Sequence, residues 1–258
     1  MSNIPQHLLK EFLEEKYDLY NRPQFIESDP IQIPHSFSIR EDIEIAGFLA
    51  ATIAWGQRKS IISNSKRLME RMGNNPFDFV MNANSIQLLN LDGFVHRTFN
   101  SDDCTYFIKS LRNIYSKHNG LKHFFEESYT KNSDISQVLA DFRTLFFEIS
   151  GNPHTGKHVS DVGKGSSAKR LNMFLRWMVR CDKRGVDFGL WQQIPASALY
   201  LPLDLHTGNV ARKLGILQRK QNDWKAVDEV TSALRSMDKS DPVKYDFALF
   251  GLGIFEKF

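Results

Sequence analysis

The chain of 258 residues carries only two cysteines, Cys104 and Cys181. Two thiols cannot build a four-cysteine zinc or iron–sulfur centre, and they suit a reducing cytosol better than a disulfide-stapled secreted scaffold. A membrane-length apolar run is also missing. The longest uncharged stretch, Phe188 to Leu203, is too short and contains Pro195 and two glutamines. The first twenty residues hold four acidic side chains and no apolar run, so they do not read as a signal peptide. Alternating strand patterns are weak, and there is no internal repeat, low-complexity segment or GxSxG nucleophile motif. Net charge is only +3, which permits nucleic-acid binding without demanding it. What remains is 41% hydrophobic and 24% charged residues, enough apolar chain for a sizeable core in one large domain or two small ones.

The apolar residues recur at helical steps. Leu8, Leu9, Phe12, Leu13, Tyr17 and Tyr20 predict an amphipathic opening helix. Arg22 to Ser38, with three prolines, predicts an extended loop. A helical stretch follows over Glu41 to Met72, apolar on every face around IAGFLAATIAW and polar and basic from Arg58 to Arg71. Further helices are expected around Phe107–Tyr115 and Val138–Phe146, then over Ser166 to Arg180 with Ser166 or Ser167 as N-cap, Asp204 to Leu214, Trp224 to Met237 and Pro242 to Phe255. Asp223 and Asp241 stand where N-caps belong, and Asp102 and Asp103 are expected to start a helix. The fold class is all-α.

Charge is concentrated where the overall balance hides it. Between Lys157 and Arg184 stand eight basic and two acidic residues, about +6. Lys169, Arg176 and Arg180 share a helical face opposite Leu171, Phe174, Leu175 and Met178. Gly151 to Gly165, GNPHTGKHVSDVGKG, reads as a glycine-rich loop whose N–H groups and following basic helix suit phosphate; a solvated basic face without a ligand is the equal alternative. The near match to GxxxxGK[ST] at Gly151 to Lys157 has His158 in place of the hydroxyl residue, and no clear strand precedes it, so nucleotide hydrolysis is not expected. His154 and His158 are four apart in what reads as a loop, so no metal site is expected from them. Asp204, in LPLDLHTGNVARKLG, reads most simply as an N-cap; a functional carboxylate would need an apolar pocket beside the helix start.

SSAKRLNMFLRW followed by PLDLHTGNVARKLG resembles the helix-hairpin-helix DNA glycosylase superfamily. In that superfamily a lysine opens the second hairpin helix, and an aspartate follows in a pattern like VDTHVxRVxxRLG. Lys169 and Asp204 match those places. Their spacing is closest to that of the archaeal 8-oxoguanine DNA glycosylase branch. The whole chain, with RLNMFLRWMVR and DPVKYDFALFGLG, is also similar to an uncharacterised family of Bacteroidetes and relatives grouped with these enzymes. DVGKGSSAKR replaces the usual hairpin LPGVGxKTA, Leu205 replaces the motif's threonine, and the four-cysteine cluster of one branch is absent.

The resemblance implies two helical subdomains, 40–185 with the hairpin element, and 1–39 with 186–258, with a DNA-binding cleft between them. It implies a base-excision glycosylase, with or without lyase activity, acting as a monomer on duplex DNA with a damaged, oxidised base. The setting is the cytoplasm and its nucleoid; no membrane, metal or cofactor is required. Lys169 and Asp204 would be catalytic. Gln57, Lys157, Gly163, Lys164, Gly165, Ser166, Arg170, Arg176, Arg180, His206 and Arg212 would touch DNA. A lysine nucleophile must be neutral, and a free amine titrates at about 10.4. Nearby Lys164, Arg170 and Arg176, with burial, would have to release its proton. The alternatives are a silent DNA- or RNA-binding module on the same fold and a helical protein-interaction domain.

Overall fold

A computed structural model describes residues 5–150 and 153–258. The α-helices are α1 (Gln6–Tyr20), α2 (Gln24–Ser28), α3 (Arg40–Thr52), α4 (Arg58–Arg71), α5 (Pro76–Asn82), α6 (Ser85–Leu88), α7 (Ser101–Lys117), α8 (Gly120–Asn132), α9 (Ile135–Phe146), α10 (Lys169–Val179), α11 (Leu205–Lys213), α12 (Trp224–Met237) and α13 (Tyr245–Ile254). Short 3-10 turns lie between them, and the strands β1 (Val95–His96) and β2 (Phe99–Asn100) form a two-residue antiparallel ladder. The fold is all-α. No helix among the described residues is long and apolar enough to cross a membrane.

The chain forms two compact units, 26–160 and 1–25 with 161–258. The boundaries fall at 25/26 and 160/161, where 39/40 and 185/186 are the expected ones. Arg176 of α10 pairs with Asp246 of α13, and Arg180, just past the end of α10, pairs with Asp241, so α10 belongs with the chain ends and not with the middle.

In the 26–160 unit the core is aromatic. Phe48 of α3 stacks on Phe107 of α7 at 5.7 Å and meets Phe142 of α9 edge-on at 5.5 Å. Phe107 and Phe146 are 4.6 Å apart. Helix α3 is buried from Asp42 to Thr52, and its Glu44 accepts from the Tyr115 hydroxyl at 2.8 Å. The single helical stretch expected over Glu41 to Met72 is broken in two at Gly56, whose φ of +104° no L side chain adopts readily. Arg22 to Ser38 is more ordered than an extended loop. Pro30 and Pro34 each open a 3-10 turn, the first capped by Asp29.

In the other unit α1 lies against α13, with Gly251 so close to the Tyr20 ring that a Cβ there would stand 2.1 Å from it. Helix α13 also packs on α11, where Gly253 faces His206. Helix α10 begins at Lys169, later than expected. Ala168 takes the left-handed conformation at φ +47°, and Ser166 accepts from the Ala168 N–H instead of capping the helix. Asp223 caps α12 as expected. Asp241 does not cap: its carboxylate accepts from Arg180 at 2.8 Å.

Candidate functional site

Helix α11 starts at Pro202-Leu203-Asp204, and Asp204 is its N-cap. Asp204 Oδ1 accepts from the His206 N–H at 2.8 Å and the Thr207 N–H at 3.0 Å, while Thr207 Oγ1 accepts from the Asp204 N–H at 2.9 Å. This reciprocal box fixes the carboxylate, and the hydrogen bonds given to it all fall on Oδ1. Behind it, Asn222 donates to the Asp204 carbonyl at 2.8 Å. Arg212 in turn holds Asn222 and the Arg219 carbonyl. Arg212 is therefore a brace for the loop under α11. Leu205 and His206 are exposed beside Asp204.

Lys169 opens α10, half-buried. Asp246 of α13 is buried. Its carboxyl is pushed up from 3.8 to about 6, chiefly by burial; the Arg176 guanidinium opposes this, Asp204 raises it further and Lys169 lowers it. Lys169 and Asp204 thus both act on the charge of one buried carboxyl, although 34 residues separate them in the sequence.

The shift fixes a pH dependence. Folded Asp246 holds its proton to higher pH than the unfolded chain does, so its contribution to stability falls as pH rises from about 4 to about 6. Asp246→Asn removes this slope. The melting temperature of the variant relative to the parent is expected to move in the variant's favour across that window and stay level above it; a difference constant with pH would contradict the shift.

The rest of the basic segment is placed differently from expectation. Arg176 and Arg180 are 3% and 0% exposed. Arg176 pairs with Asp187 at 3.3 Å and with Asp246, and its guanidinium lies 4.3 Å from the Phe247 ring centre. Arg180 pairs with Asp182 and Asp241 at 2.8 Å and Asp187 at 3.1 Å, and donates to the Tyr17 hydroxyl. Neither reaches DNA, and Arg176, neutralised in this way, is not a free charge beside Lys169. Burial pulls the Arg170 guanidinium down to about 10. Four carboxylates turn the apparent basic stripe into an interior ionic network, because four charges of opposite sign offset the cost of enclosing two guanidinium groups.

The turn before α10 is self-contained. Lys164 N–H donates to Asp161 Oδ1 at 3.2 Å, Gly165 N–H to the Val162 carbonyl at 2.8 Å and Ser166 N–H to the Asp161 carbonyl at 3.1 Å. These three N–H groups are not free for phosphate, contrary to expectation, and Gly165 serves the turn through its φ of +83°. Gly163 is exposed, and Gly165 and Ser166 are fastened to the start of α12, where Trp224 N–H donates to the Gly165 carbonyl. The exposed cation here is Lys164, 85% accessible. Gly151 and Asn152, the start of the expected phosphate loop, lie outside the described residues, as do Met1 to Ile4.

The chain matches the protein family DUF2400, described as a protein of unknown function, over residues 29–255. The chain belongs to this family. No curated protein and no solved structure matches it. The DUF2400 match spans both units and covers Lys169, Asp204 and Asp246 as well as two other candidates in the 26–160 unit. Gln57 is exposed at the N-cap position of α4, and its side chain makes no cap hydrogen bond. Lys157 is exposed, with Nζ 2.7 Å from His154 Nε2. His154 and His158, expected in a loop, sit on a 3-10 turn, Pro153–His158, and converge on Asp103 of α7. Asp103 closes a capping box with Asn100, as its place in the sequence implied. Its meeting with two imidazoles some fifty residues later has no local signal.

Proposed function

We propose that this protein is a DNA base-excision glycosylase in which Lys169 is the nucleophile and Asp204 its carboxylate partner. The observation that carries the reading is that the first residue of α10 and the N-cap of α11 both act on the charge of Asp246, where the glycosylase resemblance requires a lysine and an aspartate to meet. A base in the duplex stack hides its glycosidic bond, so the damaged nucleotide is flipped out first. The neutral Lys169 amine then forms a bond to C1′ as the bond from C1′ to the base nitrogen breaks, and opening of the sugar ring gives an imine. Asp204 keeps Oδ1 on its helix cap and presents Oδ2 to the amine proton or to the cationic sugar. Leu205, exposed beside it, offers apolar surface to the flipped base. In this reading Lys164 holds backbone phosphate.

Duplex binding tests the reading. Affinity is expected to fall linearly with salt on logarithmic axes, and Lys164→Glu should weaken binding to all duplexes alike while lowering the slope by about one. No detectable binding at low salt would remove every nucleic-acid reading and favour a helical protein-interaction domain. Binding without any chemistry would favour a silent module, for which the capping role of Asp204 suffices.

A further inference from the structure

The 26–160 unit holds a separate cluster of chemistry around Asp103. This carboxylate is completely buried, and two imidazoles meet its two oxygens. His154 Nδ1 stands 3.0 Å from Oδ1 and His158 Nε2 3.1 Å from Oδ2. One ligand atom from each of the three residues lies within 4.8 Å of the others. Nitrogen and oxygen ligands about 2.0–2.1 Å from a tetrahedral ion stand roughly 3.3 Å apart, so each imidazole already stands close to ligand spacing from the carboxylate, and the three groups need only draw together around an ion.

We propose that Asp103, His154 and His158 bind a divalent transition-metal ion of the zinc type, with water as the fourth ligand.

The surroundings fit. Thr155 Oγ1 donates to Asp103 Oδ1 at 2.8 Å and the Asn100 N–H donates to Oδ2 at 3.0 Å, outer contacts that hold a ligating carboxylate in place. Burial works against the charged form, but Asn100, then His154 and Thr155, hold the Asp103 carboxyl below its usual range, so it is anionic at neutral pH. Trp55 stacks on the His158 ring at 5.8 Å and Phe99 meets it edge-on at 4.9 Å, an apolar wall. The His154 side chain is 40% exposed, which leaves an entry path and room for water. Without metal, protons shared between imidazole and carboxylate balance the buried charge; a divalent ion replaces them and releases them to solvent. Lys157 opposes that exchange. Its ammonium can donate to His154 Nε2 only when that nitrogen is bare. Metal on Nδ1 puts the proton on Nε2, so Lys157 must swing out.

The test loads the full chain, stripped with chelator, with Co²⁺ and Zn²⁺ alone. One equivalent of Co²⁺ should bind with the intense visible absorption of a four-coordinate ion, and Zn²⁺ should displace it. His154→Ala, at an exposed position and with its helicity checked by circular dichroism, should lose this site at least tenfold in affinity. His123→Ala, an exposed histidine elsewhere, should keep it. Lys157→Ala should bind several-fold more tightly, an effect that a purely structural histidine–carboxylate contact would not produce. No stoichiometric binding by the parent, or the same isotherm for His154→Ala, overturns the assignment.

Discussion

Lys169→Ala is expected to give no covalent protein–DNA adduct under conditions in which the parent is trapped by borohydride. Trapping reports the imine itself, because hydride converts the transient C1′ imine to a stable amine that joins chain and sugar. The lesion panel starts with 8-oxoguanine, to which the spacing of Lys169 and Asp204 points by resemblance, and continues with oxidised pyrimidines. The variant should fold: Lys169 is half-buried at the first position of α10, where alanine is a good helix former. It should also keep most of its DNA affinity, since Lys164 is untouched. Asp204→Asn retains an oxygen for the His206 and Thr207 N–H groups, and so retains the cap, but loses the charge. Single-turnover excision should then fall by about 10²–10⁴. Excision by Lys169→Ala at the parental rate would show that another group attacks the sugar.

The second large effect is on stability. Arg180→Ala leaves Asp182, Asp187 and Asp241 facing one another inside the protein, with Tyr17 deprived of its donor. Removing one partner from a buried ionic network costs about 3–5 kcal/mol, against a total stability of about 5–15 kcal/mol. Denaturant unfolding should register this as a large drop in midpoint. Lys164→Ala, at an exposed lysine paired only at 3.9 Å, should stay within about 0.5 kcal/mol of the parent. Equal midpoints for the two variants would return Arg180 to the surface and to the DNA.

The contrast between those two residues marks what could be read from the amino-acid order. Helices were legible because apolar residues such as Val138, Leu139, Phe142 and Phe146 repeat with the helical period, and α12 falls on its expected bounds because Asp223 is a cap that acts within three residues. Asp204 was legible for the same local reason. Arg180 was not. A 3.6-residue period distinguishes a charged face from an apolar one but does not say whether carboxylates from distant segments will cover the charged face. Asp187 lies seven residues beyond Arg180, and Asp241 and Asp246 more than sixty. The start of α10 moved for a smaller reason. Two serines look like caps, yet Ser166 is spent on the Ala168 N–H once Gly165 has turned the chain. The burial of Asp246, on whose charge Lys169 and Asp204 both act, depends on the same long-range packing and has no local signal in the sequence.

The passage of the chain from one unit to the other and back has a consequence for synthesis on the ribosome. Residues 26–160 are contiguous and can close their aromatic core as soon as they emerge. Helix α1 is made before them but must wait, with Leu9, Leu13 and Tyr17 uncovered, until α13 exists to receive it. At about 5–20 residues per second, the roughly 230 residues from the end of α1 to the end of α13 take about 10–50 s. For that interval the earliest helix is the least protected, and a holdase that shields an amphipathic N-terminal segment would act on this protein then and have no surface to hold once Gly251 has closed on Tyr20.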